Sequence, residues 1–511
     1  MCGFTAYAGS PGSGRVDLVR RMAERLAHRG PDGSGLHRLG EAVLAHRRLA
    51  IIDVAGGDQP LINEDGTLAL ACNGEIYNHE ALRANLAGRH RFATRSDSEV
   101  ILHLYEEHGR DLVHLLKGMF AFVLTDGEGL FAARDALGIK PLYMGHDSEG
   151  GLWFASELKA LTGVCHDVRE FPAGHVLDAR GELVRWYQPG WATAPVKPPR
   201  AYDGRQVAEG LEQAVERRLM SDVPLGVFLS GGLDSSLIAA LVRPHVDELH
   251  SFSVGLEGSP DLEAARVMAR HLGTQHHEHV YRPADVVDAL ETVIAHLESF
   301  DPALVRSAIP CYFVSRLAAR HVKVVLSGEG SDEAFAGYLY FNRARDGGAL
   351  HDESVRLLFG LHNMNLQRVD RMTMAHGLEG RVPFLDTDFL DLVMALDPAQ
   401  KLHSADRPEK FLLRSAFDGL LPDSILWRTK AEFAQGCGSE WTVRDYCAEH
   451  VSDAELEGAA QRFPEDPPTT KEEFYYRRVF DGLFPGPVAR RTVGRWRGAF
   501  HAARQEVPSH V

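Results

Sequence analysis

Residues 226–241 read GVFLSGGLDSSLIAAL: an apolar run stops at Ser230, then come Gly231, Gly232 and, after Leu233, an Asp-Ser-Ser, and an apolar helical pattern takes over. A strand, a glycine-rich turn and a helix N-terminus make an anion site. Glycine lets the backbone approach phosphate oxygens, and free N–H groups and the helix dipole favour negative charge. This is not a Walker A loop, because SGGLDSS has no GK[ST] ending and no lysine to reach a terminal phosphate. It offers the hydroxyls of Ser230, Ser235 and Ser236 to a phosphate group, and one acid, Asp234. An acid beside phosphates repels them unless a cation bridges the two, and Mg²⁺ takes carboxylate and phosphate oxygens together. A plain strand-to-helix turn with Asp and Ser as capping residues accounts for the same letters. A second loop, LSGEGSDEAFAGY, repeats the design with Ser327, Gly328 and the acids Glu329, Asp332 and Glu333. Two such loops at two strand ends can grip one nucleotide and one metal cluster.

A different chemistry begins at Cys2. Methionine is readily trimmed before a small residue, which would leave cysteine first. Its α-amino group, with a pKa of about 8, then serves as base for its own thiol. Its companions are HRGPDG (28–33), LAHRRLAIID (44–53), GDQPL (57–61), NGEIYNH (73–79) and SDSEVIL (96–102). Two other segments read as structural. HHEH (276–279) sits in a strand-like run with no cysteine or carboxylate at metal spacing. ARRTVGRWRGAF (489–500) reads as a solvated basic tail rather than a nucleic-acid site.

The elements that must carry these residues differ on the two sides of YQPGWATAPVKPPRAYDG (187–204), which holds four of the 25 prolines and reads as a linker. Before it, strand-like runs dominate at 42–53, 67–73, 119–126 and 152–156, with helical patterns at 16–29 and 98–109. That clustering predicts a layered α+β domain. After it, strands (224–230, 249–256, 322–328) alternate with helices (235–245, 261–273), which predicts βαβ units on a parallel sheet. Ligands on such sheets sit beyond the carboxyl ends of the strands, where both serine-glycine loops lie. The C-terminal third is helical in pattern, and the last twenty residues are expected to be poorly ordered.

Length, at 511 residues, allows two to four domains. The net charge of −16 argues against bulk nucleic-acid binding. Six scattered cysteines without a CxxC pair suit a reducing, cytoplasmic compartment. No apolar run approaches the roughly 18 residues of a membrane span, and the N-terminus has no signal-peptide pattern.

SGGLDS resembles the PP-loop of ATP pyrophosphatases, which cleave ATP between the α- and β-phosphates. The segments around Cys2 resemble class II glutamine amidotransferase domains of the N-terminal nucleophile hydrolase (Ntn) fold. In that order the two halves resemble the glutamine-hydrolysing asparagine synthetases. The match runs from Cys2 to about residue 485 and includes ARDALGIKPLY (133–143), FASELKAL (154–161), GLEGRVPFLD (377–386) and EKFLLR (409–414). The resemblance implies an α+β Ntn layered domain over 2–190, followed by an α/β parallel-sheet, Rossmann-like PP-loop synthetase domain over 200–511. It implies that Cys2 attacks glutamine, that Asn73 and Gly74 form the oxyanion hole, and that Arg48, Leu49, Ile52, Glu75 and Asp97 complete the glutamine site. Phe228, Ser230, Gly231, Gly232, Asp234, Ser235, Val254, Ser327 and Gly328 are implied at ATP. Asp234 and Asp332 are implied at Mg²⁺, Lys410 at the α-phosphate, Glu329 beside the acyl-adenylate and Arg306 at the acceptor. The substrates implied are glutamine, aspartate and ATP, in a homodimer.

One segment departs from the family. Asparagine synthetases carry paired threonines before the matching arginine, whereas SFDPALVRSAIP (299–310) retains Arg306 but has Ala303 and Leu304. Amidation of a different carboxylate by the same mechanism is the alternative this leaves open. β-Lactam synthetase-like proteins have typically lost the cysteine that this chain keeps. A silent homologue would have degraded motifs, and a stand-alone glutaminase would not need SGGLDSS.

Overall fold

The computed structural model describes residues 2–9, 13–178, 180–404, 406–429 and 433–496. Strand Cys2–Ala8 pairs antiparallel with Ala42–Arg48, from Cys2 opposite Arg48 to Ala8 opposite Ala42. These lie in a six-stranded sheet ordered 169–170, 143–146, 152–155, 2–8, 42–48, 33–39. A second six-stranded sheet runs 183–185, 175–177, 131–134, 118–125, 69–76, 61–62.

The two sheets stack face to face. Side chains alternate along a strand, so Phe4, Ala6 and Leu44 meet Ala69, Ala71, Ala121 and Val123 in the layer between them. The alternate residues face outward but are also buried. Tyr7, Val43 and Ala45 pack under helix Ser13–Glu24, and Leu70, Cys72, Phe120 and Phe122 pack under helix Val100–His108. The result is the four-layer α/β/β/α arrangement of an Ntn domain, with Cys72 a packed strand residue.

Two elements end well short of the expectation. The strand predicted over 42–53 ends at Arg48, because Asp53 adopts φ 50° and the Arg48 guanidinium collects carbonyls from the turn that follows. The helix predicted over 16–29 ends at Glu24, and i→i+3 bonds continue to Gly30. That tightening delivers Arg29 to the Cys2 carbonyl.

The second unit holds a five-stranded, wholly parallel sheet ordered 275–280, 250–255, 225–228, 324–326, 379–381. Its first strand in sequence, Leu225–Phe228, is central, so the chain order reverses between it and Val324–Leu326. Ligands bind at such a switch point. Helix Leu233–Val242 is apolar nearly all round and buried, as a helix under a sheet should be. Helices Pro260–Leu272 and Pro302–Ala318 start with proline behind the capping side chains of Ser259 and Asp301, the arrangement that spares a backbone donor. The C-terminal third is helical, as expected.

Two expectations need correcting. The 187–204 segment is packed rather than a free linker. Trp191 is buried, its Nε1 donates to Asp391 Oδ1 at 2.7 Å, and the Arg200 N–H donates to the Ala395 carbonyl at 2.8 Å. Nor is 489–496 a solvated tail. Arg490 pairs with Asp481, Arg495 pairs with Asp466 and Glu473, and the Trp496 N–H donates to Asp301 Oδ2. The expectation of poor order at the C-terminus falls, for 497–511, outside the described residues. Among the described residues no helix is long and apolar enough to cross a membrane.

Candidate active sites

Cys2 and Asn73 both project into the layer between the two sheets, at its open end. The period of two puts Cys2 with Phe4 and Ala6, and Asn73 with Ala71 and Ala69. The Cys2 N–H donates to Asn73 Oδ1 at 2.9 Å. Asn73 Nδ2 is buried and makes no hydrogen bond, a donor held ready beside the thiol. Gly74 is required next to it, because a Cβ there would overlap the Met119 carbonyl. Burial pushes the Cys2 thiol above its ordinary pKa, while the Leu49 backbone and the Arg48 charge pull it back.

Arg48 lies opposite Cys2 in register. Its guanidinium is bound to the carbonyls of Ile52, Asp53 and Val54 and to Asp58. The Asp58 side chain is 84 % exposed, so that pair is weak and easily exchanged for another carboxylate. Glu75 and Asp97 are buried. Desolvation raises the Glu75 carboxyl well above its ordinary range, helped by Glu379 and Asp97, and also raises Asp97. Glu75 Oε2 is buried without a hydrogen-bond partner, and Asp97 Oδ2 accepts from the Ile76 N–H at 2.7 Å. Two buried acids of this kind are matched by a cationic ligand. The Leu49 side chain packs with Ile51 on Val324 and Met374, so only its backbone faces Cys2. Ile52 offers its carbonyl to Arg48.

At the second site, Gly231 takes φ 70° and a Cβ there would overlap Ala264, while Gly232 caps helix Leu233–Val242. The Ser230 and Ser235 hydroxyls lie 3.0 Å apart, and Ser230 Oγ accepts from the Gly232 N–H. The two serine-glycine loops touch: a Cβ on Gly328 would stand 2.6 Å from Asp234 Cβ. Lys410 Nζ lies 2.5 Å from Asp234 Oδ2 and 2.7 Å from Asp332 Oδ1, and the Ser331 hydroxyl donates to Asp234 Oδ1 at 2.7 Å. The paired carboxylates raise the Lys410 pKa against its burial. Lys410 itself adopts φ 58°, a strained setting for a side chain that must reach between two acids. Gly337 is held to glycine by Asp332 and Lys410, which leave no room for a Cβ. Phe228 and Val254 close adjacent strands with their side chains in or against the core, so their backbone faces the ligand end.

Glu329 lies in this loop and pairs with buried Arg368. Glu333 is buried, accepts from the Tyr338 hydroxyl at 2.6 Å, and is raised to about 7 by burial and by Asp332. Arg306 is not free: it makes a two-pronged bond to Glu472 at 2.8 Å and reaches Glu440 at 3.3 Å. Leu304 is in the core, and Asp301 caps that helix turn. The HHEH residues lie in strand Gln275–Val280. There His277 stacks on His321 at 3.8 Å and its Nε2 lies 3.1 Å from His250 Nδ1, so that of the HHEH residues His277 joins a cluster of three imidazoles with one nitrogen each within 4.8 Å of the others.

Sequence reasoning missed the residues that join the two sites. Arg29 donates to the Cys2 carbonyl at 2.9 Å and forks onto Asp370, while also pairing with Glu157. Arg371 bridges Glu157 and Glu298, and Glu298 accepts from the backbone of Leu158 and Lys159. Arg381 Nη2 faces Glu75 Oε2 at 3.7 Å, and the Arg381 carbonyl accepts from the Ser327 N–H at 2.9 Å. Arg29 sits in HRGPDG, and Glu379 and Arg381 sit in GLEGRVPFLD, so the signal was on the page without a role. Asp370 and Arg371 carried none.

A family model described as a glutamine amidotransferase domain matches residues 1–182, and one described as asparagine synthase matches 206–349 and 343–506. The chain is 47 % identical over 517 residues to the glutamine-hydrolyzing asparagine synthetase 2 of Arabidopsis thaliana, covering 96 % of this chain and 89 % of that protein. The glutamine-hydrolyzing asparagine synthetase of Asparagus officinalis is 46 % identical, with 96 % of this chain and 87 % of the relative covered. That of Sandersonia aurantiaca is 46 % identical over 509 residues, with 95 % and 97 % covered.

Proposed function

We propose, from the premise that this chain belongs to the glutamine-hydrolysing asparagine synthetase family, a division of labour among its residues. The enzyme is a carbon–nitrogen ligase that hydrolyses glutamine and uses the ammonia to convert aspartate to asparagine, with ATP going to AMP and pyrophosphate. The glutaminase occupies 2–190 and the synthetase 200–511.

Cys2 attacks the glutamine amide carbon, with its own α-amino group taking the thiol proton once Cys2 is terminal. Asn73 Nδ2 and the Gly74 N–H stabilise the oxyanion, ammonia leaves, and water releases glutamate from the thioester. Arg48 exchanges Asp58 for the substrate α-carboxylate, and Glu75 and Asp97 receive its ammonium. At the second site the aspartate β-carboxylate attacks the α-phosphorus and pyrophosphate leaves. Ammonia then adds to the acyl carbon and AMP departs, with Glu329 taking the proton. Ser230, Gly231, Gly232, Ser235, Ser327 and Gly328 hold the phosphates, and Phe228 and Val254 bound the nucleotide. Asp234 and Asp332 converge on one cationic point, now the Lys410 ammonium, with the Ser331 hydroxyl donating to Asp234, and hard oxygen donors of this kind fit Mg²⁺. Mg²⁺ bound by Asp234 and Asp332 would neutralise phosphate charge, leaving Lys410 to the α-phosphate.

Arg306 receives the acceptor carboxylate by releasing Glu472, and backbone or water replaces the hydroxyls that Ala303 and Leu304 lack. A homodimer is taken from the family resemblance, to be measured by sedimentation. A cytoplasmic location fits six free thiols. The observation that carries the reading is the pairing, in one chain, of the Cys2–Asn73 contact with the Asp234–Lys410–Asp332 cluster. Aspartate-dependent pyrophosphate release by the purified protein tests it. Asp234→Asn should remove most of that release, and stimulation by another carboxylic acid but not by aspartate would overturn the acceptor.

A further inference from the structure

On the glutaminase half, away from both sites, four side chains from three elements converge. Glu64 lies in the turn between strands Leu61–Ile62 and Ala69–Ile76. His90 follows helix His79–Leu86. His103 and Glu106 sit three apart on helix Val100–His108, on one face. His90 Nδ1 lies 3.2 Å from Glu64 Oε1 and 3.5 Å from Glu106 Oε2. His103 Nδ1 lies 3.1 Å from Glu64 Oε2 and 3.1 Å from Glu106 Oε2. We infer that Glu64, His90, His103 and Glu106 form a binding site for a divalent transition cation of the Zn²⁺ type.

Four ligands at bond lengths of about 2.0–2.1 Å around a tetrahedral ion stand roughly 3.3 Å apart. The imidazole–carboxylate distances, with Glu64 facing His90 through Oε1 and His103 through Oε2, fall on either side of that edge length, and one donor atom from each of the four residues lies within 4.8 Å of the others. Half the donors are imidazole nitrogens, which selects Zn²⁺ over Mg²⁺ or Ca²⁺. Of the outer nitrogens, that of His90 has the partner that metal-bound histidines use, and that of His103 faces a carboxylate without a hydrogen bond. His90 Nε2 lies 3.1 Å from Glu107 Oε1, and His103 Nε2 lies 3.8 Å from Glu99 Oε1. Glu99 is itself fixed by the N–H groups of Ala93 and Thr94. The Glu107 contact holds the His90 ring with Nδ1 inward, and burial fixes the ring of His103. The His103 side chain is fully buried and its Nε2 makes no hydrogen bond, whereas the Glu64 and Glu106 side chains are a quarter exposed. The site therefore has a rigid floor and an open mouth. The cation would take the place of the Nδ1 protons and staple the turn and the 90 loop to the helix whose first residues follow Asp97.

Full-length protein stripped with chelator is titrated with Zn²⁺ alone by calorimetry and with Co²⁺ alone by visible spectroscopy. One equivalent should bind, and Co²⁺ should give the intense d–d bands of four-coordination without thiolate charge transfer, which separates this site from Cys2. His90→Gln and His103→Gln should each abolish that equivalent, and Glu107→Gln, behind His90, should weaken it about tenfold. A wild-type protein that binds no such equivalent, a six-coordinate or thiolate Co²⁺ spectrum, or a site unchanged in both histidine variants would overturn the inference. The wild-type spectrum decides the matter even if a variant fails to fold.

Discussion

A thiol buried against its own sheet is a poor nucleophile until something takes its proton, and burial does push Cys2 in that direction. The adjacent α-amine is the group placed to do it. Cys2→Ala should therefore abolish glutamine-dependent synthesis and leave synthesis from added ammonium salts intact, as measured by asparagine formed from each nitrogen source. Loss of both in a folded protein would refute the two-site assignment. Glu333 gives a pH signature at the other site. Its carboxyl is raised from 4.5 to about 7 by burial and by Asp332, so the folded state holds that proton more tightly than the unfolded chain. Its contribution to stability is complete below pH 4.5 and is lost as pH rises through about 7. The slope within that window is at most about 1.4 kcal/mol per pH unit. Glu333→Gln should flatten it, as read by urea melts across the window. At this scale the sequence showed the reacting groups, because thiol, acid and lysine chemistry is written in residue type. It did not show their partners. That Arg306 is already held by Glu472, 166 positions away, depends on a helix packing that no local pattern announces.

Strands and glycines were legible where local physics decides them. A central parallel strand ending in Ser-Gly reads as a ligand loop, and both such loops are where the pattern placed them. The close approach of those loops needs Gly328, since a Cβ there would press on Asp234 Cβ and on the Ser235 nitrogen. Overpacking of this kind costs about 1–3 kcal/mol, and here it would be relieved by parting the loops. Gly328→Ala should raise the KM for ATP about tenfold or more while glutamine hydrolysis persists. An unchanged KM would show that the loops do not need this contact. What stayed hidden had long-range causes. Period-two alternation is masked in the glutaminase strands because both faces of both sheets are buried, so Ala69–Leu70–Ala71–Cys72 looks uniformly apolar. The strand from Ala42 stops at Arg48 because a side chain captures the following carbonyls, and the 187–204 segment packs because Trp191 finds Asp391.

Two reactions in one chain are useful only if ammonia made at the first is consumed at the second, which requires the halves to stay closed against each other. The structure closes them with charge rather than with apolar surface alone. Arg29 holds the Cys2 carbonyl with one nitrogen and Asp370 with two others, so the nucleophile strand is tied to the synthetase half through one side chain. Arg381 does the converse, facing Glu75 with its guanidinium while its carbonyl fixes Ser327 in the nucleotide loop. A buried pair of this kind is poor evidence for stability, since its desolvation is costly, but removing one partner strands the other and costs about 3–5 kcal/mol. Asp370→Asn removes the charge and keeps the shape. Arg29 retains Glu157, so the glutaminase fold should survive while its tie to the synthetase half weakens. The expected result is glutamine hydrolysis near the wild-type rate, ammonia-dependent synthesis retained, and a glutamate-to-asparagine ratio well above one, measured together in one assay with ATP and aspartate present. If the ratio stays at one while the melting temperature falls, the Arg29–Asp370 link is a stabilising contact only, and the coupling of the two sites must run through Arg381 instead.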